Sequence, residues 1–424
     1  MTPKRPGVAI VYLTLALTTL LYLLAKPTLS SLGGNIFITL AQIAALLGTV
    51  LFAFSFILAS RTYLIEEAFG GLDRAYRAHH QLGVWSFSLL CTHLVCVLIG
   101  YTLNGVPVFG LMIANLALIL GELGLVTMGA VILTIMFAKI KYQNFVLLQK
   151  FFAIPYAFGI YHLLIIPSDV ARYQPLRAWM IAIVFLGAVS WIYRELFYRL
   201  LAPQKEYAVK AARDQGAEIT EIALLPKTSP IVFKPGQFAY FLLHSKAVSP
   251  EAHPFSFSSA PGDQELRFAA KRLGDFTNEL GKVAPGDAVT VYGPFGKFFS
   301  ELDPAAENIF IAGGIGITPF MSALRARLVG ERTILFYSTR GENDRAFTIE
   351  LQELAAAPGA YKLHLHESDR RGYLTADIVA KRAGGLTGKK IFICGPAGLM
   401  TALKKQFRAL GVPDENIIFE MFNY

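Results

Sequence analysis

The chain has 424 residues, 54% of them hydrophobic and 16% charged, with a mean hydropathy of +0.47, which excludes a purely soluble protein and requires the apolar excess to be localised. The net charge of +9 does not imply nucleic acid, because Lys and Arg gather beside the apolar segments, where they set membrane orientation. The cysteines Cys91, Cys96 and Cys394 have the spacing of neither a disulfide framework nor a zinc or iron–sulfur site.

From Gly7 to Leu201 the sequence is a series of long apolar runs with short polar breaks; from about Pro203 it reads as a soluble α/β protein. The first run, GVAIVYLTLALTTLLYLLA, follows Lys4 and Arg5 as a signal peptide would. It is long, lacks an evident cleavage site and precedes further spans, so a retained helix is expected. Six spans are predicted at about 7–25, 36–59, 81–101, 115–138, 145–166 and 177–198. Each approaches or exceeds the roughly 20 residues that cross about 30 Å of hydrocarbon. One set of loops and ends carries Lys4, Arg5, Arg61, Arg74, Arg77, Lys139, Lys141, Lys150, Arg194 and Arg199. The other holds only Lys26, Arg172 and Arg177, which places both chain ends in the cytoplasm.

The third and fifth spans then run parallel, and each ends in a histidine: YRAHHQLGVWSFSLLCTH (76–93) and FVLLQKFFAIPYAFGIYH (145–162). His93 and His162 are expected at matched outer depths; His79, His80 and Gln149 at matched inner depths. Thirteen residues of helix separate the levels by about 20 Å. An ionisable residue within a membrane is costly unless paired or liganded, and two facing neutral imidazoles can clamp a haem. The plain alternative is a hydrogen bond to a neighbouring helix. Matched depth on parallel helices favours haem.

In the soluble half, HPFSFSSAP (253–261) follows the Pro-Gly turn of FKPGQFAYFLL and precedes LRFAAKRLGDFTNEL and GDAVTVYGPFGKF. This alternation of turns and strand-like runs predicts a small antiparallel barrel. Its hydroxyls and the N–H groups of the Gly-Asp-Phe-Thr turn suit a flavin and its pyrophosphate. ENIFIAGGIGITPFMSALRARL then reads as a strand, a glycine turn and a helix. Gly313, Gly314 and Gly316 would let backbone approach a pyrophosphate, with Thr318 as N-cap and Pro319 as first helical residue. The next strand lacks the acidic residue that usually holds an NAD ribose and offers Ser338, Arg340 and Arg345, which favours NADPH. KIFICGPAGLMTAL carries Cys394, Gly395 and Pro396 at a strand C-terminus, where open α/β sheets bind ligands.

With GGLDRAYRAHHQLG, HPFSFSS, LGDFT, GGIGITPF, CGP and the aromatic end FEMFNY in place, the sequence resembles the NADPH oxidase and ferric reductase superfamily in its bacterial single-chain form, over nearly its whole length. The resemblance implies a multidomain membrane protein: a six-helix haem-binding bundle (1–202), an FAD-binding antiparallel β-barrel (203–305) and an α/β NADPH-binding domain (306–424). It implies that NADPH reduces FAD, which releases single electrons through haem b to an outer acceptor. By position, His253, Pro254, Phe255, Ser256, Lys271, Gly274, Phe276 and Thr277 would hold FAD. Gly314, Gly316, Thr318, Pro319, Ser338, Arg340, Cys394, Gly395 and Pro396 would hold NADPH, and Phe422 or Tyr424 would cover the flavin.

The family pattern makes His80 the inner ligand, although fourteen residues from His79 to His93 return more nearly to one helix face than thirteen from His80. Gln149 stands where the family's fifth helix supplies the other inner ligand. The inner haem is then held by one histidine, held with Gln149 or a neighbouring histidine, or absent; loss of that relay would leave a long tunnelling step. Oxygen, giving superoxide, is the expected acceptor. A ferric chelate, or a periplasmic or surface protein partner, is the alternative, and Arg172 could steer an anionic acceptor. The expected partners are NADPH, a small acceptor and the lipid bilayer, with no nucleic acid and no obligatory protein. A transporter with a regulatory nucleotide tail would need no flavin barrel.

Overall fold

The computed structural model describes residues 6–26, 35–113, 115–138 and 142–420, so Phe422 and Tyr424 lie outside the described residues. The chain divides into two compact units between Leu201 and Ala202.

The first unit contains six helices long and apolar enough to cross a membrane. Their main helical segments are α1 (Pro6–Leu24), α2 (Ile36–Ala59), α3 (Leu72–Leu103), α4 (Leu116–Phe137), α5 (Ala153–Ile165, the latter part of a span that starts at Asn144) and α6 (Gln174–Ile192, the first part of a span that reaches Leu201). Asn35 and Asn115 cap α2 and α4, their side-chain oxygens accepting from the N–H groups of Ile38 and Leu118. α2 is the most buried span and packs along both α3 and α6, while α4 packs along α5. Small residues permit close approach: a Cβ on Gly48 would meet Leu90 at 3.0 Å, and one on Gly187 would meet Ala53 at 3.0 Å.

Three span boundaries differ from expectation. α3 starts nine residues early, because its first turns are polar and held by the Asp73–Arg77 pair (2.9 Å) rather than by apolarity. The fifth span is broken. A short helix, Tyr142–Lys150, ends in a turn at Phe151–Phe152 before α5 begins. The sixth continues through a π-helical turn, Tyr193–Phe197, to Leu201.

The second unit holds two sheets. The first is antiparallel, in the order β4-β3-β6-β1-β2-β5: β1 (Gln204–Asp214), β2 (Ile219–Pro226), β3 (Phe238–His244), β4 (Ala252–Ser256), β5 (Leu266–Lys271) and β6 (Ala288–Phe295). A bridge between Phe257 and Phe268 ties its two edges together, and Phe241, Phe257, Phe268, Val289 and Val291 fill the interior. The second sheet is parallel, in the order β11-β10-β7-β8-β9: β7 (Asn308–Gly313), β8 (Thr333–Thr339), β9 (Lys362–Glu367), β10 (Lys390–Cys394) and β11 (Ile417–Glu420). Its inner strands are continuous apolar runs because both faces are covered, by clusters around Phe310 and Phe320 on one side and Phe336 and Phe407 on the other. The chain order reverses between β7 and β10, opening a crevice at their C-terminal ends.

Candidate functional site

In the membrane unit, the Nδ1 atoms of His93 and His162 lie 3.0 and 2.8 Å from the carbonyl oxygens of Ala41 on α2 and Ala117 on α4. A carbonyl only accepts, so Nδ1 carries the proton in each neutral ring and Nε2 keeps its lone pair. The ring centres are 6.2 Å apart. Two imidazoles bonded to one metal at about 2 Å, with roughly 1.2 Å more from nitrogen to ring centre, would stand about 6 Å apart, so the pair fits one iron between them.

Both rings line a cavity of about 540 Å³, the size of a cofactor pocket. Gly121 is necessary to it: a Cβ there would lie 2.3 Å from Nδ1 of His162. Phe52 and Tyr156 form part of the wall, with Phe56 and Phe152 packed against them at ring separations of 4.8–6.4 Å. Most of the remaining wall is aliphatic, with one polar patch around Gln42 and Asp169. Lys26 donates to Gln42 (2.8 Å) and to buried Asp169 (2.6 Å), and Arg172 also pairs with Asp169. That pairing accords with an ordinary interfacial arginine rather than with one that steers an anionic acceptor. Glu122 of α4 lines the same cavity and was missed in the sequence, although a lone carboxyl in an apolar run is a legible signal.

At the level of His79 the expectation shifts. Nδ1 of His79 lies 2.7 Å from the Ser55 carbonyl of α2, whereas His80 is exposed. Adjacent helical residues point about 100° apart, so only one can face α2. Gln149 is exposed and precedes the turn at Phe151–Phe152.

In the antiparallel sheet, the His253 ring lies 3.9 Å from that of Phe276, and Phe255 stacks on Phe268 at 4.8 Å. Burial lowers the His253 pKa to about 4, leaving it a neutral aromatic surface. Ser256 is buried and Lys271 half-buried at the end of β5. Part of the hydrogen-bonding capacity expected of the Gly-Asp-Phe-Thr turn is used within it. Thr277 Oγ1 accepts from the N–H groups of Leu273 (3.0 Å) and Gly274 (3.1 Å), so these donors satisfy the turn itself.

In the parallel sheet, the glycine turn meets Cys394–Pro396 across the crevice. A Cβ on Gly316 would lie 2.3 Å from the Cys394 carbonyl, and one on Gly313 would lie 2.9 Å from Pro396. The space beside these two glycines is taken by the facing segment, whereas Gly314, at φ +53°, has open space at its Cβ position. Thr318 is the first helical residue of α7 (Thr318–Arg325) and its hydroxyl donates to the Ile315 carbonyl, so it is not the N-cap, and Pro319 is second. A 3₁₀ turn over Gly314–Ile317 runs directly into the helix and displaces the expected cap. Cys394 is buried, and burial with nearby Glu420 pushes its thiol pKa well up, which keeps it a neutral contact. Ser338 is half-buried, one residue before the end of β8. Arg345 is tied to Glu367, leaving exposed Arg340 as the cation after β8 without an ion pair among the described residues.

One feature had no sequence signal. Arg325 of α7 donates to Glu221 of β2 (2.8 Å), to the Ser258 carbonyl (2.7 Å) and to both oxygens of Glu350, and Ser322 donates to the Ser259 carbonyl. The helix after the glycine turn is thereby clamped to the serine-rich segment of the antiparallel sheet.

Comparison with known proteins gives three family matches: Ferric reductase like transmembrane component over residues 44–160, FAD-binding domain over 207–294 and Oxidoreductase NAD-binding domain over 310–405. The chain is similar to Flavohemoprotein A of Dictyostelium discoideum, at 27% identity over 60% of this chain and 71% of that protein. It is 33% identical to the ferredoxin reductase component of the 3-ketosteroid-9-alpha-monooxygenase of Mycolicibacterium smegmatis, over 45% of this chain and 56% of that one. A flavohemoglobin from Malassezia yamatoensis shares the fold at TM-score 0.53 and 14% identity, covering 94% of this chain and 98% of its own.

Proposed function

We propose that this chain, a membrane-embedded oxidoreductase in which a ferric-reductase-like transmembrane component is fused to FAD-binding and NAD-binding domains, carries electrons from cytoplasmic NADPH through FAD and haem b to oxygen on the outer side, releasing superoxide. The observation that carries this reading is the His93–His162 pair: two half-buried imidazoles from different helices, 6.2 Å apart in one cavity, each with its proton fixed on Nδ1. A carbonyl bond that orients a ring and leaves Nε2 free is the usual support of a metal-ligating histidine. When bound, FAD would turn a two-electron hydride into single electrons and haem would relay them.

The chain's own residues then have defined tasks, within domain limits of 1–202, 203–305 and 306–424. The neutral His253–Phe276 and Phe255–Phe268 stacks give flavin an apolar bed. Gly314 opens the crevice to a pyrophosphate, Cys394 and Pro396 form its opposite wall, and Arg340 supports a 2′-phosphate. The basic loops support a cytoplasmic location for both chain ends.

The test uses purified full-length protein in lipid nanodiscs. NADPH should reduce the haem and drive cytochrome c reduction that superoxide dismutase abolishes. Reduction of ferric citrate without superoxide would replace oxygen by a ferric chelate as the acceptor. Haem that NADPH cannot reduce would sink the reading altogether.

A further inference from the structure

His79, Ser86 and His93 stand seven residues apart on α3, and their polar atoms meet the carbonyls of Ser55, Gly48 and Ala41, seven residues apart on antiparallel α2, at 2.7, 2.8 and 3.0 Å. Seven residues are two helical turns less about 20°, so the three side chains descend one face of α3. His79 therefore repeats His93 two rungs lower: the same ring nitrogen, the same kind of partner on the same neighbouring helix. What orients His93 as a ligand orients His79 equally, with Nδ1 protonated and Nε2 left with its lone pair.

The two levels differ in what stands opposite. His93 faces His162, but the chain has eight histidines, and the membrane unit holds only His79, His80, His93 and His162. His80 is exposed, one helical position round from His79. Gln149, the residue of the fifth span at that depth, is exposed and lies beyond the turn at Phe151–Phe152. Its carboxamide is also a far poorer iron ligand than imidazole.

We propose that His79 holds a second haem iron from one side only, leaving the opposite coordination position open to a small exogenous ligand such as carbon monoxide. This rests on the haem reading of the outer pair, and it assigns the two levels different reactivity: the outer iron closed by two imidazoles, the inner iron open.

The experiment measures haem per polypeptide by pyridine haemochromogen, and the carbon monoxide difference spectrum of the dithionite-reduced full chain. Wild type, His79→Ala, His80→Ala and His162→Ala are compared. Two haems are expected in the wild type, with about half of the haem shifting in carbon monoxide. His79→Ala should keep one haem and lose the shift, His80→Ala should match wild type, and His162→Ala should keep the carbon monoxide-reactive haem. Should His79→Ala fail to fold, the wild type still decides: its oxidised form should show a high-spin ferric resonance beside a low-spin one. One haem that survives His79→Ala but not His162→Ala would overturn this proposal while leaving the outer site intact. Two haems with no carbon monoxide shift would overturn the open position. No haem in any preparation would overturn the functional reading itself.

Discussion

His253 shows how burial settles the character of a single side chain. Its ring sits against Phe276, and its pKa is lowered to about 4 by loss of solvent. The ordinary value is about 6.5, so between these values the unfolded chain binds a proton that the folded chain refuses. Stability is therefore full above pH 6.5 and falls as the pH drops towards 4, by up to roughly 3 kcal/mol. Flavin fluorescence during thermal unfolding of the full chain should show this loss in the wild type and a flatter profile in His253→Phe. Arg340 makes a different prediction. As a cation after β8 with no ion pair among the described residues, it should favour a 2′-phosphate, so Arg340→Ala should raise KM for NADPH about tenfold or more and leave that for NADH nearly unchanged. Equal effects on both nucleotides would show that Arg340 does not read the phosphate. At this scale the sequence was uneven. His93, His162 and the glycine turn were legible because rare residue types in an apolar or strand context announce themselves. The fourteen-residue spacing agrees with the placement of His79 against the Ser55 carbonyl, while the motif had favoured His80, which the structure leaves exposed. The capture of Arg345 by Glu367 was invisible, since an ion pair between β9 and the loop after β8 depends on tertiary placement.

Elements were easiest to read where one property dominates along the whole run. The apolar spans of α1, α2 and α4 match expectation to within about a residue, because hydropathy alone defines them. α3 and the fifth span do not, because their N-terminal ends are shaped by an ion pair and a tight turn. The glycine turn was read correctly as a turn, yet Gly313 and Gly316 face Cys394–Pro396 rather than open space. Gly316→Ala should therefore destabilise the parallel sheet by about 1–3 kcal/mol, the usual range for overpacking, and impair nucleotide binding. Gly314→Ala, which meets no atom but strains a left-handed backbone, should cost less. The clamp on α7 is stronger. Arg325 and Glu221 are almost wholly buried, so Arg325→Met strands carboxylates in low dielectric and should cost about 3 kcal/mol or more. Glu350→Gln, at a partly exposed carboxyl, should cost clearly less. Equal losses would mean that the clamp acts through packing rather than charge.

For the whole molecule, the decisive property is that nucleotide, flavin and membrane components belong to one polypeptide. Electron delivery should be intramolecular: the first-order rate of NADPH-driven haem reduction should stay constant over a hundredfold dilution of protein. A rate that falls with dilution would mean that one chain's reductase half serves another chain's bundle. The three-part order was legible from composition because the shift from apolar to mixed sequence near Pro203 is abrupt, and the change from antiparallel to parallel strands follows from the strand–turn–helix pattern after Glu307.

The ladder between α2 and α3 has a consequence for how such a bundle tolerates length change. Both histidines take their orientation from one strip of backbone carbonyls, so neither can be re-aimed alone by sliding a helix. Deleting one residue of α3 between them would turn His79 by about 100° relative to His93 and pull one ring off its rung. Removing two whole turns would keep both aimed but bring the levels closer by roughly 10 Å. Small insertions and deletions are thus forbidden in this stretch, whereas a substitution between the rungs changes local packing without re-aiming either ring, and the separation of the two levels can change only in steps of about two turns.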